Sequence, residues 1–348
     1  MIFETDEYML ESFINVAQIE ITGRCNLKCK HCRGSASKNN MTDMPLEKII
    51  EIVNFAKDNS DNGFVEVVLS GGEPLLHSDI TQIIAYCLKE NVYTEITTNG
   101  LLINSEFTNA IKNNKLVTIS VSIDSCNSAL HDSFRGMNGA YDKAINGIKM
   151  LVENGVRTRI RSTVSKNNLD EMERLILLAE ALNVDSIAFG PIIPVGNAME
   201  LKKEMFNTPA EMKNFIETFY ALKEKYKNRI HVVTNECLHI LHDYKDLSEG
   251  SSEERVLDGC SAGIVSFNVL INGDVTPCSM FHKKIFNVYE STNYTEDYIQ
   301  SSLLKNLIVR NYTGKCGRCA LKDSCGGCRV RAEYYRGSYL DSDPLCWV

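Results

Sequence analysis

The chain has 348 residues, 44% of them hydrophobic and 24% charged, with a formal net charge of −8. That acidic balance argues against a nucleic-acid-binding face, which is built on clustered Lys and Arg, and no apolar stretch approaches the roughly 20 residues of a membrane span. The first residues, Met1 to Glu7, are acidic and carry no basic n-region, so no signal peptide is expected and a cytoplasmic location is.

From about residue 16 to 190, short β-branched runs alternate with longer amphipathic ones. Strands are expected at 17–22, 65–70, 93–98, 117–123, 158–164 and 186–189, and helices at 46–57, 80–89, 104–112, 140–153 and 169–182. In the first helix Ile49, Ile50, Ile52, Val53 and Phe55 recur at helical spacing. Six β-then-α units in a row predict a parallel sheet with right-handed crossovers, closed or part-closed as a barrel, with its chemistry at the C-terminal strand ends. A further helix is expected at 206–226 and a short strand at 229–234. The polar run 246–258 marks a boundary near 235–258. Beyond it, Asn272-Gly273-Asp274 between two apolar runs signals a hairpin. Two domains result, residues 1–235 and 236–348.

Thirteen cysteines are the anomaly of the composition. An odd count in a large chain without a leader fits metal better than a disulfide framework. Cys25, Cys29 and Cys32 are spaced C-x3-C-x2-C just past the first strand. Seven more, Cys260, Cys278, Cys316, Cys319, Cys325, Cys328 and Cys346, crowd the C-terminal quarter. Three thiolates can hold three irons of a cubane and leave the fourth open to an outside ligand. Zinc is the competing reading of both groups, although five residues between the two C-x2-C pairs is short for a zinc ribbon. The tail from Cys316 has too little apolar content to build a core, so metal must staple it.

The triad, followed by Ser70-Gly71-Gly72-Glu73-Pro74 at the end of the second strand, resembles the radical S-adenosylmethionine (SAM) enzymes. The C-terminal cysteines resemble the SPASM extension of that family. The fold implied is α/β, a partial (βα)6 barrel of the radical SAM type followed by a small SPASM domain stapled by iron–sulfur clusters. The cofactors implied are SAM and three [4Fe-4S] clusters, one binding SAM and two auxiliary. The activity implied is reductive cleavage of SAM to a 5′-deoxyadenosyl radical that abstracts a substrate hydrogen. By this resemblance Gly71, Gly72, Glu73, Pro74, Asn99, Ser122, Asp124 and Arg161 contact SAM, with Glu73 accepting from its ammonium and Arg161 pairing with its carboxylate. Cys25, Cys29 and Cys32 hold the SAM cluster, and His31 packs over it. Cys316, Cys319, Cys325 and Cys346 hold one auxiliary cluster. Cys260, Cys278 and Cys328 hold the other, with Cys237, Asp258, a substrate thiol or water left open as its fourth ligand. The 191–197 segment is expected to line the adenine pocket.

Three further readings concern the reaction. Cys126, just past the fourth strand, is a candidate catalytic hydrogen-atom donor for epimerisation, with plain packing as the alternative. Ser279 follows Cys278 where sulfatase-maturating relatives carry an Asp base, which demotes formylglycine formation. SPASM enzymes mostly modify ribosomally made peptides by cross-linking, epimerisation or oxidation, so the expected partners are a precursor peptide and a flavodoxin or ferredoxin electron donor. With 15 residues before the first strand, leader binding is expected from a separate protein or another surface. A small-molecule oxidoreductase is the alternative, and a non-catalytic iron–sulfur carrier a third reading that the Gly-Gly-Glu-Pro motif argues against.

Overall fold

A computed structural model describes residues 1–4, 9–34, 42–242 and 259–348. Seven parallel strands form the body: β1 (Val16–Thr22), β2 (Glu66–Gly71), β3 (Tyr93–Thr98), β4 (Val117–Ser122), β5 (Arg157–Val164), β6 (Ser186–Pro191) and β7 (His231–Thr234). They pair in chain order. Helices α1 (Leu46–Asp58), α2 (Ile80–Lys89), α3 (Ser105–Ala110), α4 (Ser128–Arg135), α5 (Ala140–Glu153), α6 (Met172–Ala181) and α7 (Pro209–Tyr226) fill the crossovers.

Strand alternation sorts the two faces of this sheet. Ile19, Ile21, Val67, Leu69, Ile96, Ile119, Val121, Ile160 and Ile187 are fully buried in the core shared with the helices. The intervening positions, among them Gln18, Glu20, Ser70, Glu95, Thr97, Ser122 and Arg161, carry polar side chains. Ser122 lies opposite Arg161 in the β4–β5 register. A parallel sheet covered on both faces would be apolar on both. The polar face here is what an open barrel needs to line a reaction chamber.

The C-terminal region joins the same sheet. β8 (Ser266–Val269) pairs parallel to the free edge of β1, and β9 (Asp274–Thr276) and β10 (Phe286–Asn287) continue antiparallel. The expected hairpin is present with a loop of four residues, 270–273. Gly273 alone takes a positive φ, 88°, and Leu270 N–H donates to Asp274 O at 2.9 Å. The polar run 246–258, Asp258 included, lies outside the described residues. Among the described residues no helix is long and apolar enough to cross a membrane.

Candidate active site

A cavity of about 440 Å³ opens at the C-terminal ends of the strands. One wall carries Cys25, Cys29 and Cys32 with Gly71, Gly72, Glu73, Asn99, Ser122 and Arg161. The same lining includes Cys237, Cys260, Cys278, Ser279 and Cys328. Residues 191–193 and Val195 line it as well.

The triad loop is fastened from three sides. Gly71, at φ 122°, and Gly72 let the second strand end press against the first. A Cβ on Gly71 would stand 2.3 Å from Thr22 O, and one on Gly72 2.0 Å from Arg24 O. The two glycines thus serve the close approach of two protein backbones, beside any approach to SAM. Gly72 N–H donates to Thr22 O and Glu73 N–H to Arg24 O. From the other side Asn197 Nδ2 donates to Cys29 O at 3.1 Å. Arg33 then ties the loop to the C-terminal region, donating to Glu20 Oε1 (2.7 Å), Ser70 Oγ (3.1 Å) and the Ser279 carbonyl (3.1 Å).

Glu73 is 1% exposed and already engaged. It accepts from Thr98 Oγ1 (2.6 Å), Asn99 N (2.8 Å) and Leu75 N (3.1 Å). A carboxylate has about four acceptor sites, so roughly one is left for an ammonium. Its first role is to brace the Asn99 turn. Asp124 does not line the cavity. It is buried against Arg135 (2.6 Å) and accepts from Thr163 N (2.9 Å). Burial works against its ionised form, yet the Arg135 guanidinium keeps its carboxyl below the usual range. Pro74 and Cys126 also lie outside the lining. Cys126 packs at the core edge, its amide donating to Glu171 Oε2 at 2.9 Å, so the structure does not bring it to the triad. Arg161 does reach the cavity, and it pairs with Glu95 at 3.1 Å.

Several further members carry no assigned role in the sequence reading. Arg135, at the end of α4, points Nη1 to within 3.9 Å of Cys29 Sγ. Thr97, Ser162 and His31 line the cavity, and their Oγ1, Oγ and Nδ1 atoms are buried without a hydrogen-bond partner among the described residues. Unpaired buried hydroxyls are costly unless a ligand meets them. The His31 ring stacks on Phe134 with centroids 4.3 Å apart. Alternation could have flagged Ser162, while Thr97 stands in the strand end 97–100 and Arg135 in the run 131–136, both of which resemble family features in the sequence.

The remaining cysteines fall into two groups. Cys237 and Cys328 are in contact, with Cys260 and Cys278 beside them. Cys316, Cys325 and Cys346 neighbour one another away from the cavity, with Cys319 one helical turn from Cys316. Gly326 and Gly327, with φ of 69° and 57°, turn the chain from Cys325 in one group to Cys328 in the other. Burial pushes the Cys25, Cys278 and Cys325 thiols up to about 12, so at neutral pH they become thiolates only when metal supplies compensating charge. Every candidate ligand in these groups is a free cysteine, and a four-iron cage takes one thiolate at each corner. The donor sets therefore fit iron–sulfur clusters.

Comparison with known proteins agrees. Residues 19–179 match the model of the radical SAM superfamily. The chain is 29% identical over 341 residues to the AdoMet-dependent heme synthase of Nitratidesulfovibrio vulgaris, covering 94% of this chain and 90% of that one. It is 26% identical to the subtilosin biosynthesis protein AlbA of Bacillus subtilis, covering 92% and 69%. SuiB of Streptococcus suis, solved bound to its precursor peptide SuiA, superposes with a TM-score of 0.79 at 23% identity, covering 97% of this chain and 76% of SuiB. The triad, the Gly-Gly-Glu-Pro turn and the shared architecture thus lead to one conclusion: residues 19–179 form a radical SAM domain, and the chain is an enzyme whose chemistry uses S-adenosylmethionine with an iron–sulfur cluster.

Proposed function

We propose that the chain is a peptide-modifying radical SAM oxidoreductase with two auxiliary [4Fe-4S] clusters. Cys316, Cys319, Cys325 and Cys346 hold one of these, and Cys260, Cys278 and Cys328 belong to the other. The observation that carries the reading is one cavity lined both by the Cys25, Cys29 and Cys32 triad and by Cys237, Cys260, Cys278 and Cys328. When bound, SAM and the clusters supply a carbon-centred radical for hydrogen abstraction and a sink for the electron an oxidised substrate gives up.

The chain's own residues do the rest. The Cys25–Cys32 loop and the Gly71–Glu73 turn position the cofactor, and the paired Arg33, Arg135 and Arg161 keep the walls rigid. The apolar 191–195 segment helps exclude water. A cavity of about 440 Å³ lies in the lower half of the range for small-molecule sites and must also take SAM. Each arginine on its lining is matched by a carboxylate: Arg33 by Glu20, Arg135 by Asp124 and Arg161 by Glu95. This suits an uncharged peptide segment. A flavodoxin or ferredoxin is the electron donor in this reading.

A second reading, modification of an iron tetrapyrrole, is favoured by the likeness to heme synthases over 94% of the chain. Four propionates would call for cations free of carboxylates, which the lining among the described residues does not offer. The test is anaerobic incubation of reconstituted enzyme with SAM and either short peptides encoded beside its gene or iron coproporphyrin III, in ordinary and heavy water. A peptide lighter by two hydrogens supports cross-linking or dehydrogenation. Deuterium gain in heavy water with unchanged mass in ordinary water supports epimerisation. Conversion of the porphyrin alone overturns the peptide reading.

A further inference from the structure

We propose that Cys237 is the fourth thiolate of the auxiliary cluster on the cavity wall, so that this cluster has no iron open to substrate. The inference rests on the two-auxiliary-cluster reading above and settles the position that reading leaves vacant.

Cys237 opens a short helical turn, Cys237–Leu241, directly after β7. Glu236 caps that turn, accepting from Leu238 N at 3.0 Å. The Cys237 thiol touches Cys328 and shares the cavity wall with Cys260 and Cys278. A free buried cysteine ordinarily packs as a small hydrophobe. Cys237 packs against the core too, but its Sγ also meets polar groups: it donates to Glu236 Oε1 at 3.5 Å, lies 3.9 Å from Arg331 Nη2 and touches the Cys328 thiol.

That guanidinium belongs to a buried network joining the two cysteines, which are 91 positions apart in sequence. Arg331 donates to both oxygens of Glu236 (2.7 and 2.6 Å) and to Asp343 (2.7 Å). Asp343 Oδ2 in turn accepts from Cys328 N at 2.8 Å. Glu236, Arg331 and Asp343 are each 3% exposed or less. Burying three charges costs stability that an apolar core would not forfeit, and what the network achieves is to hold the backbones of Cys237 and Cys328 against each other. Of the other thiols, Cys87 is fully buried in α2 and Cys126 lies outside the cavity. With four thiolates in place the cluster exchanges electrons only, and substrate does not ligate it.

The experiment uses full-length, anaerobically reconstituted C25A/C29A/C32A protein, which removes the SAM cluster and its open iron. Iron content, Mössbauer spectra and EPR of the reduced clusters are recorded with and without cyanide as the ligand probe. About eight irons are expected, four per cubane, with spectra indifferent to cyanide. Adding Cys237→Ala opens one iron, so cyanide shifts one auxiliary signal, or mild oxidation yields a three-iron signal. Cys237→Ser, which substitutes an oxygen ligand, alters the same signal without cyanide and keeps the test open if the alanine variant loads poorly. Spectra of both variants matching the parent overturn the proposal, as does a cyanide-sensitive parent. A parent with no auxiliary iron overturns the cluster reading itself, a distinct failure.

Discussion

Three buried arginines stand beside three cysteine groups, and their partners differ. Arg135 near Cys29 is neutralised by Asp124, and Arg331 near Cys237 by Glu236 and Asp343. Arg329, 3.7 Å from Cys316 Sγ, is held by the Tyr339 and Asp341 carbonyls and stacked on Tyr312 at 4.1 Å, with no carboxylate pairing it among the described residues. An unbalanced cation beside a cluster thiolate stabilises the added electron, because net charge and hydrogen bonds to sulfur tune cluster potentials. Arg329→Gln is therefore expected to lower the midpoint potential of the Cys316 cluster and Arg329→Lys to restore part of it, as read by EPR-monitored potentiometry. A second residue prediction concerns His131, 1% exposed, whose Nδ1 accepts from Asp124 N at 3.2 Å. Burial lowers this imidazole to about 4. A group whose folded value is depressed contributes fully above its unfolded value, about 6.5, and loses that contribution as pH falls toward 4. At pH 5.5 about 1 kcal/mol of stability is gone relative to pH 7.5. Denaturation of His131→Gln at the two pH values is expected to show a correspondingly flatter pH dependence.

At the scale of elements, what matters is how closely strand ends and turns approach. Gly72→Ala places a methyl 2.0 Å from Arg24 O and 3.2 Å from Cys25 Cβ, and neither is the far end of a flexible side chain that could yield. The triad loop must then move. Displacements of about an ångström at a reacting centre cost on the order of 100-fold in rate, so SAM cleavage is expected to fall by about that factor in a 5′-deoxyadenosine assay. Gly326→Ala faces the Arg310 side chain and a positive φ of 69°. It is expected to disturb both auxiliary clusters, because this turn carries the chain from one to the other. These approaches explain why Gly-Gly-Glu-Pro and Cys-Gly-Gly-Cys are legible motifs. The glycines are required by backbone contacts close in space, and they stand beside the cysteines they help to place.

At the scale of the whole molecule, the β8–β1 pairing makes barrel and C-terminal region one continuous sheet, with the cavity between their cysteines. Reconstituted protein is expected to bind about 12 irons, four for each of three cubanes. Replacing Cys25, Cys29 and Cys32 by Ala should remove about four of them and abolish SAM cleavage. Deleting residues 346–348 should disturb the Cys316 cluster while leaving the triad loaded, since Cys346 neighbours Cys316 and Cys325 and lies off the cavity. Iron and sulfide analysis with EPR of each variant checks all three outcomes. The sequence by itself determined the strand order, the triad and the glycine turn, and it marked ten cysteines as candidate metal ligands, because periodicity, turn chemistry and close thiol spacing are local properties. Tertiary structure alone decided the rest. It set Arg135 against Cys29, engaged Glu73 with Thr98 and Asn99, withdrew Asp124 and Cys126 from the cavity, and brought Cys237 to Cys328 through Glu236, Arg331 and Asp343. Those contacts join residues up to 106 positions apart in the chain, and only the folded sheet determines which distant side chains meet.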